Sequence, residues 1–125
     1  MLADSLDQAY EVKKNRVPLI ELREEKETLY VTEADIMYGI AQGKHVAVHL
    51  ADGRIAKVAS SVDNLFDQWA HLETFLMPSF KFLVNCRYIE NVGLLQLTMK
   101  DGNKFPIHGI WRKYAKDLQK KYANN

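Results

Sequence analysis

Two Asp-Gly dipeptides, Asp52-Gly53 and Asp101-Gly102, constrain this chain more than any other feature, because each separates two short runs of alternating apolar and polar residues. Such a dipeptide favours a tight turn, and the alternation gives strands with one apolar face, so both regions read as antiparallel hairpins. The first joins Lys44 to Leu50, with Val46, Val48 and Leu50 on one face and His45, Ala47 and His49 on the other, to a return strand from Arg54 to Ala59. The second joins Gly93 to Met99, with Leu95, Leu97 and Met99 on one face, to a short return strand from Lys104 to Ile107.

The rest of the chain repeats this grain. Leu19 to Leu22 and Leu29 to Val31 are short alternations joined by the charged stretch Arg23 to Glu27, a third hairpin. Thr32 and Asp35 make a capping-box pattern good for about one helical turn before a strand from Ile36 to Ile40. Ser60 and Asp63 make a second box, opening a helix over 61–72 whose buried stripe is Val62, Leu65, Phe66, Trp69 and Leu72. In Phe80 to Val92, the residues Phe80, Phe82 and Val84 alternate with Lys81 and Leu83, which reads as a strand with a strongly apolar face and a cation on the other. A final helix from about Gly109 carries Ile110, Tyr114, Leu118 and Tyr122 at four-residue spacing, with Arg112, Lys113, Lys116, Lys120 and Lys121 on its other faces. At the opposite end Leu2, Leu6, Ala9 and Tyr10 recur at helical spacing through Met1 to Lys14. The expected fold is mainly β, an elongated arrangement of small antiparallel sheets with one short internal helix and flanking N- and C-terminal helices.

At 125 residues there is room for one domain with its own core. No apolar run approaches membrane-span length and no signal-peptide segment is evident, so a cytoplasmic protein without a membrane partner is expected. The single Cys86 cannot form an internal disulfide and reads as a buried or half-buried inert thiol. His45 and His49, four apart on a strand, are about 13 Å from one another, too far to share a metal. His71 and His108 add no ligand spacing, and no phosphate loop, Ser/His/Asp or Cys/His signature is present, so the expectation is a non-enzyme without metal or other cofactor.

Charge is informative only when the chain is divided. Residues 1–76 carry 8 basic and 13 acidic side chains, net −5, whereas residues 77–125 carry 9 basic and 3 acidic, net +6. A half of that sign either faces a polyanion or is an ordinary solvated basic surface.

Leu83-Val84-Asn85-Cys86-Arg87-Tyr88-Ile89 resembles the "Leu/Val-Val-Asn-x-x-x-Ile" signature of the LytTR family of DNA-binding domains, output modules of bacterial response regulators. Asp35, Ile36 and Tyr38 match the family's "Asp-Ile-x-Tyr-Ile-Glu", with Gly39 and Ile40 standing for its last Ile and Glu. The ending "Asp-Gly-Asn-x-x-Pro-Ile" is met from Asp101 to Ile107. The resemblance runs from about Leu19 to Tyr114. It implies a domain over 17–125, and makes residues 1–16 an amphipathic helix and linker left from an upstream receiver domain; an extra helix packed on its own domain is the other reading.

The resemblance also implies double-stranded DNA as partner, read at tandem direct repeats by loops entering successive major grooves, with a homodimer formed on the DNA. Carried over by position, the loop before the fourth strand offers Lys44 for phosphate and His45 for a base edge. The segment before Val84-Asn85 has Phe80 where the family has arginine, with Lys81 beside it. After Pro106-Ile107 come His108 and Gly109 where the family has Ser and Arg, with Arg112 and Lys113 one helical turn on. Asn85 reads as structural, satisfying turn backbone. The function implied is sequence-specific DNA binding by a two-component response regulator acting on transcription. Loss of two arginines leaves a second reading, a LytTR-like interaction or dimerisation module that no longer reads sequence, and a small ligand-binding β domain would require a pocket.

Overall fold

A computed structural model describes residues 18–122; the helix expected within Met1 to Lys14 lies outside them. The first hairpin pairs β1 (Leu19–Arg23) with β2 (Thr28–Thr32), Leu22 opposite Leu29. A five-stranded antiparallel sheet has the order β5-β4-β3-β7-β6, built from β3 (Ile36–Gln42), β4 (His45–Leu50), β5 (Ile55–Val58), β6 (Phe75–Ser79) and β7 (Phe82–Asn85). The helix α1 (Val62–Trp69) crosses from β5 to β6. Three short strands, β8 (Ile89–Val92), β9 (Gln96–Met99) and β10 (Lys104–Pro106), form the last sheet, followed by α2 (Arg112–Tyr122). The described residues thus form a set of small antiparallel sheets with one short internal helix and a C-terminal one, as the strand pattern implies.

The five-stranded sheet is buried on both faces. Against one face pack the first hairpin and α1, giving a core of Ile20, Leu22, Val48, Leu65, Trp69 and Leu83 among others. Against the other pack the three-stranded sheet and α2, giving a second core that includes Tyr38, Val84, Ile89, Leu97, Met99 and Leu118. A register shift between Ile36 and Tyr38 lets these two residues, which plain alternation would put on one face, serve opposite cores.

This layering corrects the reading of Phe80 to Val92. The strand begins only at Phe82, because Phe80 and Lys81 form the turn that joins β6 to β7, with Ser79 opposite Phe82. Leu83 is not on a cation's solvent face; Leu83 and Val84 are both fully buried, one in each core. Strand β6 escapes the sequence pattern because Pro78 interrupts it. Proline lacks a ladder donor, and is tolerated here because β6 is an edge strand.

Three smaller corrections share a cause, that local patterns mark an element's neighbourhood better than its end. The cap of α1 is Ser61, whose side chain accepts from the Asn64 N–H at 3.1 Å, one residue after the expected Ser60. Leu95 is exposed in the turn before β9, where Gly93 N–H donates to the Gln96 carbonyl at 2.8 Å. A Cβ at Gly93 would lie 2.9 Å from that carbonyl oxygen, so glycine is required there. In α2 the buried residues are Ala115 and Leu118, while Ile110 and Tyr114 of the expected stripe point outward.

The signature residues tie the layers together. Asn85, fully buried, directs Nδ2 at the Glu33 carbonyl, the Ile36 carbonyl and Glu33 Oε2 within 3.0 Å, while its Oδ1 accepts from the Arg87 N–H. Arg87 Nε is 2.8 Å from Glu33 Oε2, and the Tyr88 hydroxyl donates to the Ala34 carbonyl. The one-turn helix Glu33–Asp35, capped reciprocally by Thr32 and Asp35, is thereby locked to the one-turn helix Cys86–Tyr88. The structural role read for Asn85 is borne out.

Candidate nucleic-acid interface

Three of the predicted loops meet at one end of the five-stranded sheet. Ile40 pairs with Phe82, and one step further Ala41 N–H donates to the Lys81 carbonyl at 2.9 Å, which sets the β3–β4 turn beside the β6–β7 turn. The first turn is made by Gly43 at φ 63° and carries Lys44; the second carries Phe80 and Lys81, and all three side chains are exposed. The third loop is attached by His108, whose N–H donates to the Pro78 carbonyl at 3.2 Å. His108 and Gly109 therefore sit next to the strand that leads into Phe80. A Cβ on Gly109 would meet nothing within 4 Å, so a side chain there has open space.

The remaining predicted residues divide. His45 is half-buried and lines an open cleft of about 380 Å³ with Glu24, Glu25, Lys26, Glu27 and Lys57, so its surroundings include three carboxylates. Glu24 is held there by the Lys57 N–H, which donates to its Oε1 at 2.8 Å. Arg112 is also half-buried, and its Nε donates to the Gly93 carbonyl at 3.1 Å, which fastens the β8–β9 turn to the start of α2. Lys113, one residue on, is exposed.

Two aromatic residues join this end: Tyr114, which the sequence pattern put in a helix stripe, and Trp111, to which it gave no role. Trp111 and Tyr114, at the start of α2, line with Phe66, Met77, Phe80 and His108 an apolar groove of about 490 Å³ along the β6 edge. The four-residue spacing of Ile110, Tyr114 and Leu118 disguises Tyr114 as core. The signal available in the sequence was the small Ala115, which marks the face that approaches closely.

Behind the loops, a polar cluster fixes the β9–β10 turn to the sheet. Tyr38 donates from its hydroxyl to Asp101 Oδ2 at 2.8 Å and accepts from Asn103 Nδ2 at 2.8 Å. Burial and the Asp101 carboxylate push the Tyr38 hydroxyl up to about 12. Burial works against the Asp101 carboxylate, but hydrogen bonds from the Asn103 N–H, Tyr38 and the Asn103 side chain outweigh it and hold the group below its usual range. His49 stacks on Tyr38 at 4.6 Å, and its burial lowers its pKa despite Asp101 nearby. The Cys86 thiol is buried and pushed up to about 12, by burial first and then by Glu33, which makes it an inert thiol. Among the described residues no group of three His, Cys, Asp or Glu is placed to hold a metal ion, and no helix is long and apolar enough to cross a membrane.

The family model of the LytTr DNA-binding domain matches residues 26–123. The chain belongs to the LytTR family. A solved structure with the same fold is the LytTr DNA-binding domain of a protein described as a methyl-accepting/DNA response regulator from Bacillus cereus, with a TM-score of 0.63 at 19% identity. The match covers 80% of this chain and 94% of that one. No curated protein matches the chain in sequence.

Proposed function

We propose that this LytTR domain binds double-stranded DNA in a sequence-specific manner, as the effector domain of a two-component response regulator that acts on transcription. The observation that carries the reading is the hydrogen bond from Ala41 N–H to the Lys81 carbonyl, which sets the Lys44 and Lys81 turns side by side at one sheet end. Two exposed cations on adjacent turns suit phosphates on a duplex, where side-chain contacts to the backbone position a protein and groove contacts specify sequence. Lys113 and His108 extend the surface. Arg112, tied to Gly93, acts in this reading mainly by positioning the turn, and His45 contributes little because carboxylates share its cleft. Residues 1–16 lead from an upstream receiver, whose phosphorylation promotes pairing of two copies on tandem half-sites.

The rival, a protein-interaction module that no longer reads sequence, draws support from Phe80 and Gly109 standing in place of arginines. The two separate in one experiment, selection of duplexes from a random library followed by affinity measurements over a range of salt. Sequence-specific binding predicts a selected consensus, a steep salt slope and a flattening by about one unit for each of Lys44→Ala, Lys81→Ala and Lys113→Ala. Gly109→Arg, whose side chain has room, strengthens binding. Equal affinity for selected and scrambled duplexes at every salt concentration sinks the proposal.

A further inference from the structure

We propose that the apolar groove beside the Phe80–Lys81 turn receives an unstacked base of the bound duplex, with Phe80 as the wedge that displaces it. The inference deepens the DNA-binding reading and rests on it. Phe80 stands in the two-residue β6–β7 turn with 72% of its surface exposed, so its ring returns little packing to the domain. That ring forms one wall of the groove, and Trp111, Tyr114, Met77 and His108 form much of the rest. Trp111 and Tyr114 are edge to face, with centroids 6.3 Å apart and planes at 62°, and both line that space. The volume, about 490 Å³, is of the size that accepts a planar small-molecule moiety.

Charge selects a nucleotide over other occupants of an aromatic groove. Lys81 Nζ lies 5.6 Å from the Phe80 ring centroid, and Lys113 is exposed next to Tyr114, within a segment from residue 77 onward of net charge +6. A nucleotide offers a flat ring to the aromatics and a phosphate to the lysines at once. A neutral apolar helix would satisfy the rings and leave the cations without counter-charge. Apolar side chains that wedge into a base step unstack it, and stacking of a base on protein rings returns part of that cost.

The test is a scan of single mismatched pairs through a duplex selected for binding, because a mismatched pair has already lost part of its stacking and pairing. The expected result is a gain in affinity of about tenfold at one position in each half-site relative to the matched duplex. The gain disappears in Phe80→Ala, shrinks in Trp111→Ala and survives in Phe80→Tyr, each variant remaining folded at the temperature of the assay. Binding of the matched duplex with no favoured mismatch, or a gain that persists in Phe80→Ala, overturns the inference and leaves DNA binding standing. A flat mismatch profile together with a dimer that Phe80→Ala converts to a monomer in sedimentation assigns the groove to a second copy and also overturns it. Failure to bind any duplex, matched or mismatched, overturns the DNA-binding reading and the inference with it.

Discussion

Helices α1 and α2 each bring one tryptophan and a row of large apolar side chains to a face of the same sheet, yet they use them in opposite ways. Trp69 of α1 is 3% exposed, tilted against Phe75 with ring centroids 5.1 Å apart, whereas Trp111 at the head of α2 is 44% exposed. The difference lies in what approaches. Helix α1 packs with the first hairpin against one face of the sheet, and its large residues Leu65 and Trp69 go inward. Helix α2 lies close against β8 and the Cys86–Tyr88 turn, where Gln119 Nε2 donates to the Glu90 carbonyl at 2.8 Å and the buried side chains are Ala115 and Leu118. Its aromatics are displaced to solvent, on the side where the turns of Lys44 and Lys81 gather. One helix consolidates the fold and the other supports a surface.

The largest test of that contrast is Trp69→Ala, which leaves a cavity beside Phe75 and should cost about 3–5 kcal/mol in denaturant unfolding. Next comes Asn85→Ala. It removes the donors to Glu33 and Ile36 and the acceptor for Arg87 N–H in a place that water does not reach, and should cost about 2–4 kcal/mol. A loss below about 1 kcal/mol would mean that the two one-turn helices hold without it.

Ala115→Leu probes α2 directly. If the helix packs close on its small residue, the added methylenes have no space and stability should fall by about 1–3 kcal/mol. A neutral result would show room beneath α2, and the argument for its outward aromatics would lose its cause.

How much of this was legible in the sequence follows the same line. The hairpins, both Asp-Gly turns, the Thr32–Asp35 box and the α1 stripe were readable because each is set by residues within a few positions. The burial of β7 on both faces was not, since alternation reports one covered face and a sheet between two cores has none exposed. Strand β6 was hidden by Pro78, which only the sheet order explains. At the candidate interface the sequence put Lys44 and His108 on separate loops and read Phe80 and Lys81 into a strand. Their meeting depends on the β3–β7 pairing and on His108 docking at Pro78, contacts between residues far apart in the chain. The carboxylates around His45 come from the first hairpin, and no local pattern announces them.

A smaller effect concerns pH. His49 has a lowered pKa because it is partly buried against Tyr38, so the folded state favours the neutral ring. Its contribution is therefore complete above the unfolded value near 6.5 and is lost as pH falls through the folded value. Asp101, also lowered, adds a loss in the same direction at pH values below about 4. The melting temperature should drop as pH goes from 7 to 5, and His49→Phe should flatten that drop while preserving the stack on Tyr38. Partial exposure keeps the effect modest. An unchanged profile in His49→Phe would assign the drop to other groups.

The smallest expected effects on stability belong to the surface that α2 supports. Lys81→Ala removes an exposed cation from a turn whose backbone bond to Ala41 does not involve the side chain, and should change stability by less than about 0.5 kcal/mol. Trp111→Ala should cost less than a quarter of what Trp69→Ala costs, because nearly half of its ring remains in water before the change. Both variants should nonetheless weaken association with selected DNA, Lys81→Ala chiefly by a shallower salt slope and Trp111→Ala without altering the slope. That pairing is the informative one, since a residue that serves the fold loses stability and binding together. If Trp111→Ala instead lowered the melting temperature as far as Trp69→Ala, the two helices would be doing the same work and the division between a consolidating helix and a supporting one would fail.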